Sequence, residues 1–132
     1  MEYAKERYIE IIPDIELPGH SLAAIASYPE LSCTEEKKEV GVNWGIYKDI
    51  YCPGKEGTFK FLEEVLAEIM EIFSSNYIHL GGDEAPKDRW EKCPHCQRRM
   101  KAENISDEEH LQLYFTQRIR DFLKTYQKQS IV

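Results

Sequence analysis

Two carboxylic acids stand side by side in His79-Leu80-Gly81-Gly82-Asp83-Glu84-Ala85, directly after the short apolar run Tyr77-Ile78-His79-Leu80. Carboxyl groups held close together suppress each other's ionisation, which leaves one protonated as an acid and the other charged. That division suits general acid catalysis beside an electrostatic partner. Neighbouring side chains on a regular strand face opposite ways, so the two acids reach one pocket only where the backbone bends. Gly81 and Gly82 permit such a bend. The same four residues would also serve as a solvated turn, so their surroundings decide the matter.

Other residues could carry chemistry. Pro18-Gly19-His20 is a turn with a titratable ring at its end, and a lone histidine there is either a polar surface residue or a neighbour of the acids. His79 and Asp14 read equally well as a hydrogen-bonded core histidine and a residue that satisfies loop amides. Four cysteines, Cys33, Cys52, Cys93 and Cys96, permit two disulfides, a metal site or four free thiols. Cys93-Pro94-His95-Cys96 resembles half of a zinc site. It needs two further ligands, and Cys33 and Cys52 are too widely separated in sequence to form a second knuckle, so no metal is assigned. Trp44 and Trp90 offer aromatic faces for stacking on a ligand or cover core edges.

These residues need elements to hold them. Tyr8 to Pro13 is β-branched and short, as a buried strand would be. Ser21 to Ala26 contains good helix formers and is ended by Pro29. Residues 31–57 lack periodicity and read as a long irregular excursion. From Thr58, taken as an N-cap, Phe61, Leu62, Val65, Leu66, Ile69, Ile72 and Phe73 mark one face of a helix. Residues 77–80 form a second strand. A polar segment then runs from Pro86 to Ser106, which with Glu109 makes a capping-box pattern before Leu111, Tyr114, Phe115, Ile119, Phe122, Leu123 and Tyr126. Ser130-Ile131-Val132 opens a further strand. The order is the rhythm of β/α units on a parallel sheet, an α/β fold. Two parallel strands alone leave faces and edges uncovered, so self-association of the chain is expected.

Composition narrows the function. The 132 residues are 42% hydrophobic and 11% aromatic, enough for the core of one domain. With 24 acidic against 17 basic residues the net charge is −7, which disfavours a nucleic-acid partner. No apolar run approaches the roughly 18 to 20 residues of a membrane span, and the first residues carry no export signal.

Residues 79–85 satisfy every position of a pattern known from glycoside hydrolase family 20: His or Asn, any residue, Gly, a small residue, Asp, Glu, a small aliphatic. Ile12-Pro13-Asp14-Ile15-Glu16-Leu17-Pro18-Gly19-His20 resembles the same family's third-strand segment, and Ala26 to Cys33, Trp44-Gly45 and Tyr51-Cys52 are similar too. The resemblance covers nearly the whole chain in the family's order. It implies a fragment, residues 1–132, of a single (β/α)8 (TIM) barrel catalytic domain, supplying about the third and fourth strands and their helices. The loops after those strands would open on the C-terminal face.

The implied reaction removes a terminal β-linked N-acetylhexosamine with retention, the substrate's own 2-acetamido oxygen acting as nucleophile. By the resemblance Glu84 is the acid and base, Asp83 orients and stabilises the acetamido group, and His20, Asp14 and His79 support the pocket. No metal or organic cofactor is implied, and the partners are glycans bearing N-acetylhexosamine. A parent protein would be secreted or periplasmic, where the resemblance suggests that Cys33 and Cys52 bridge the long loop. The family's sugar-gripping arginine on strand one and its aromatic pocket walls from strand five onward are absent from the chain, so the chain by itself should show little or no turnover. A non-catalytic carbohydrate-binding or interaction module, and a small zinc protein built on Cys93 and Cys96, are the rival readings.

Overall fold

The computed structural model describes residues 1–132. A four-residue helix, α1 (Glu2–Lys5), buries none of its residues. The chain then becomes extended, and its pairing starts later than the β-branched run suggests. Ile9, Ile11 and Ile12 are exposed, and Tyr8 is fully so. Residues 13–17 make the sheet contacts: His79 N–H donates to the Pro13 carbonyl (2.9 Å), Ile15 N–H to His79 (2.8 Å) and Leu17 N–H to Leu80 (2.8 Å). The strand expected over Tyr8 to Pro13 is therefore displaced towards the C-terminus. Composition marks a segment fit for a strand, whereas pairing depends on a partner more than sixty residues away.

After α2 (Leu22–Ser27) and a 3₁₀ turn (Pro29–Leu31), residues 32–54 form no regular element, as expected. Within them Ser32 and Tyr51 bridge in antiparallel fashion. The first long helix, α3 (Glu56–Ile72), starts two residues before Thr58. Thr58 is buried inside the first turn rather than capping it. Glu56 leads the helix instead, a negative charge at the positive end of the helix dipole, clamped by Arg99 and Arg118.

Strand β1 (Tyr77–His79) pairs in parallel with β2 (Gln129–Ile131), Ile78 opposite Ser130. With the 13–17 segment on the other side of β1, three parallel extended segments lie side by side. The stretch expected as a polar connection holds two helices, α4 (Asp88–Lys92) and α5 (Pro94–Glu103). Their few buried residues, Trp90, Cys96 and Met100, are too sparse to produce a periodic signal, and tertiary packing stabilises them. Asn104 ends α5 in the left-handed region. Helix α6 (Glu108–Thr125) is capped by Asp107, whose carboxylate accepts from the His110 amide (2.9 Å). The expected cap, Ser106, instead donates its hydroxyl to Asp107.

Two cores result. The larger joins Phe59, Leu62 and Leu66 of α3 to Phe115, Ile119 and Leu123 of α6, over Leu17, Ile78 and Leu80 of the sheet. Each such side chain contributes about 1.5–3 kcal/mol on burial. The smaller core gathers Ile50, Cys52, Ala85, Trp90, Cys93, Cys96, Met100 and Leu111. No helix is long and apolar enough to cross a membrane.

Candidate active site

The backbone leaves the sheet after Leu80 through two glycines with positive φ, +65° at Gly81 and +118° at Gly82. A side chain at Gly81 would also collide with the Glu16 carboxylate. Glu84 itself sits at φ +48°, as does His20 at +50°, a region that non-glycine residues enter rarely. The bend that the adjacent acids require is therefore present. Asp83 and Glu84 are exposed and line one open cleft of about 740 Å³, with His79, Lys87, Gln112 and Val132.

Two loops meet at this rim. Gly19 packs so closely that a Cβ there would lie 3.2 Å from the Glu84 carbonyl oxygen and 3.3 Å from that of Asp83. The contact brings His20 Nε2 to 3.2 Å from Glu84 Oε2. A ring nitrogen of His20 and carboxylate oxygens of Asp83 and Glu16 all lie within 4.8 Å of one another. Glu16 was not singled out by sequence reasoning. One of its oxygens is buried without a hydrogen-bond partner, and its only sequence signal was its place four residues before His20.

His79 and Asp14 meet as a pair one layer back, Nδ1 to Oδ1 at 2.9 Å, across the bridge between their two strands. The Gly81 amide also approaches His79 Nδ1, at 3.2 Å, so this pair sits against the start of the glycine bend. Gln112 of α6 donates to the Gly82 carbonyl (2.5 Å), and Lys87 donates to the Ala85 carbonyl (2.8 Å) and to the Gln112 side chain. Gln112 and Lys87 were likewise missed, being single polar residues among many. Of the tryptophans, Trp90 is buried and donates its indole N–H to the Tyr51 carbonyl (3.0 Å), while Trp44 is 97% exposed and lies outside the cleft.

The cysteines require a correction. Sequence separation was taken to keep Cys33 and Cys52 from forming a second knuckle beside Cys93 and Cys96, yet all four sulfurs lie within 4.8 Å of one another, with no disulfide between them. The Ser32–Tyr51 bridge closes the long loop and delivers both cysteines to the start of α5. Sequence distance carries no information about such a closure.

Residues 1–132 match the glycosyl hydrolase family 20 catalytic domain. The chain is 42% identical to a β-hexosaminidase of Porphyromonas gingivalis over 131 residues, 99% of this chain and 17% of that protein. A solved β-N-acetylhexosaminidase from Bacteroides fragilis is 41% identical and superposes with a TM-score of 0.84, over 97% of this chain and 24% of its own. A Vibrio harveyi exo-β-N-acetylglucosaminidase, solved with N-acetylglucosamine, is 32% identical with a TM-score of 0.82, over 98% of this chain and 20% of its own. The chain thus spans about a fifth of the lengths of these relatives. An acid pair on a glycine bend, a histidine against the second acid, and a match along the whole chain agree: the chain belongs to glycosyl hydrolase family 20.

Proposed function

We propose that this chain carries the acid pair of an enzyme that removes terminal β-linked N-acetylhexosamine with retention of configuration. In this reading residues 1–132 are part of one (β/α)8 barrel, about its third and fourth strands with their helices, and the acids sit at the C-terminal rim. The observation that carries the reading is the exposed Asp83-Glu84 pair on the Gly81-Gly82 bend, with His20 Nε2 3.2 Å from Glu84.

Protonated Glu84 gives its proton to the glycosidic oxygen as the C1–O bond breaks, while the substrate's acetamido oxygen closes on C1 to form an oxazolinium ion. Asp83 accepts a hydrogen bond from the acetamido N–H and offsets the developing positive charge. Glu84, now a carboxylate, takes a proton from water as that water opens the ring, so the second inversion restores the configuration. His20 positions Glu84, and the His79–Asp14 pair supports the bend from behind. The structural neighbour solved with N-acetylglucosamine supports the substrate class.

Glu84→Gln in the full-length protein tests this. It is expected to lower kcat/KM on a natural disaccharide by about 10²–10⁴-fold. An aryl glycoside whose leaving group needs no protonation should suffer much less in the bond-breaking step. Unchanged turnover of the disaccharide would remove Glu84 from the acid role. The isolated 132-residue chain is expected to be inactive, because positioning of the sugar is worth on the order of 7–11 kcal/mol and depends on surfaces beyond these strands. It is also expected to self-associate through exposed Ile9, Ile11 and Ile12 and the open strand edges, and a clean monomer in light scattering would refute that.

A further inference from the structure

The four cysteines make a second centre with chemistry of a different kind. Cys33 and Cys52 stand at the two ends of the long excursion, and Cys93 and Cys96 frame the first turn of α5. Their Sγ atoms approach as Cys33–Cys96 at 3.7 Å, Cys52–Cys93 at 3.7 Å and Cys52–Cys96 at 3.6 Å. Cys52 and Cys96 each have two sulfur neighbours at nearly the same distance. Disulfides join sulfurs strictly in pairs, at about 2.0 Å. A tetrahedral zinc tetrathiolate, with arms of about 2.3 Å, has sulfur–sulfur edges of about 3.8 Å. The observed separations fit the second arrangement and leave no sulfur committed to a single partner.

The surroundings are built to the same end. Cys52, Cys93 and Cys96 are buried at 0%, 3% and 0% exposure, and Cys33 is partly buried. Gly54, two residues after Cys52, lies so close to the turn bearing Cys96 that a Cβ would fall 2.3 Å from the Cys96 nitrogen. The two ligand-bearing turns are therefore locked backbone to backbone. A cleft of about 250 Å³ beside Cys33 and Cys93 is lined by Lys48, Arg89 and Lys92. Lys48 and Arg89 already pair with Asp88 and Asp49, while Lys92 joins no ion pair and can offset the negative charge of a metal tetrathiolate.

We infer that Cys33, Cys52, Cys93 and Cys96 bind one zinc ion as a closed structural site that staples the long loop after the first extended segment to the loop after β1. With four protein ligands the ion has no open position and takes no part in sugar cleavage. Its role is positional: Ala85, adjacent to Glu84, packs in the same core as Cys52, Cys93 and Cys96. The inference does not depend on the catalytic role of Glu84.

The test is metal and thiol analysis of the full-length protein purified under reducing conditions. Stoichiometric zinc is expected, with all four thiols shielded from a thiol reagent until a chelator and denaturant are added together. Cobalt(II) exchanged into the wild-type protein should give the visible bands and thiolate charge transfer of a tetrahedral tetrathiolate. That reading needs no mutation and survives any failure of Cys93→Ser or Cys96→Ser to fold. His95→Ala should retain full zinc, because the ring of His95 faces Arg98 at 3.0 Å. Four reactive thiols without metal, two disulfides in the mass spectrum, iron in place of zinc, or loss of zinc in His95→Ala would each overturn the assignment.

Discussion

The acid rim and the cysteine core lie on the same pair of loops yet are built in opposite ways. At the rim, Asp83 and Glu84 are exposed, the backbone is bent into sparsely populated conformations, and the loop is held by hydrogen bonds from Gln112 and Lys87 and by the contacts of Gly19 and His20. In the core, Trp90, Cys52 and Cys96 are wholly buried, and every neighbour is packed. In the proposed function the two acids must reach a substrate, so they cannot be stabilised by being covered. The order they need is supplied from the side, through Ala85 and through Leu111 and Gln112, adjacent residues of α6 that face the core and the rim respectively.

Perturbations of the two regions should therefore separate stability from turnover, all measured in the full-length protein. The largest effect is expected from Trp90→Ala, which empties the middle of the cysteine core and removes the bond to Tyr51. Urea unfolding should show a loss of about 3–5 kcal/mol, with activity falling as the rim loses its support. A loss confined to activity would mean that the core is no foundation.

Asp83→Asn should do the reverse. Turnover of N-acetylhexosaminides should fall by about 10²–10³-fold, with the unfolding midpoint unmoved because the side chain is exposed. Gln112→Ala should resemble Asp83→Asn with a smaller effect. Freeing the Gly82 carbonyl lets the acid loop drift, with an expected loss in kcat of about 10–10²-fold and little change in stability.

The smallest effect concerns the clamp of Arg99 and Arg118 on Glu56, which joins α3, α5 and α6. The Arg118 guanidinium, with Arg99 beside it, lowers the Glu56 carboxyl from 4.5 to about 2. A carboxyl whose folded value is depressed stabilises the protein above its unfolded value, and that contribution disappears as pH falls through the folded one. The advantage of wild type over Glu56→Gln should thus be full above about pH 5 and vanish towards pH 2. Its size should stay below about 1 kcal/mol, because Glu56 is largely solvent-exposed and screened. Thermal melts of the two proteins across that range would measure it.

The same contrast explains what could be read from the amino-acid order. Helices α3 and α6 were legible because their buried residues recur at a regular interval, Leu62 and Leu66 or Phe115, Ile119 and Leu123, and strand β1 because a short apolar run stops at Gly81-Gly82. The acid pair was legible because Gly81-Gly82-Asp83-Glu84 is contiguous. Helices α4 and α5 were not, since three buried residues among fifteen leave no period. The register of the first extended segment depended on β1, and the cap of α6 on a hydroxyl that turned to its neighbour. Only half of the cysteine centre was legible, in Cys93 and Cys96, because Cys33 and Cys52 join them only once the loop has closed.

Gly19 offers no functional group, yet its missing side chain lets one loop rest on the peptide oxygens beneath both acids. A single methyl there would act as a wedge a few tenths of an ångström thick, in a protein that otherwise folds and packs normally. Under the proposed function, a survey of substitutions along this chain should consequently find reduced turnover at a position that carries no chemistry of its own.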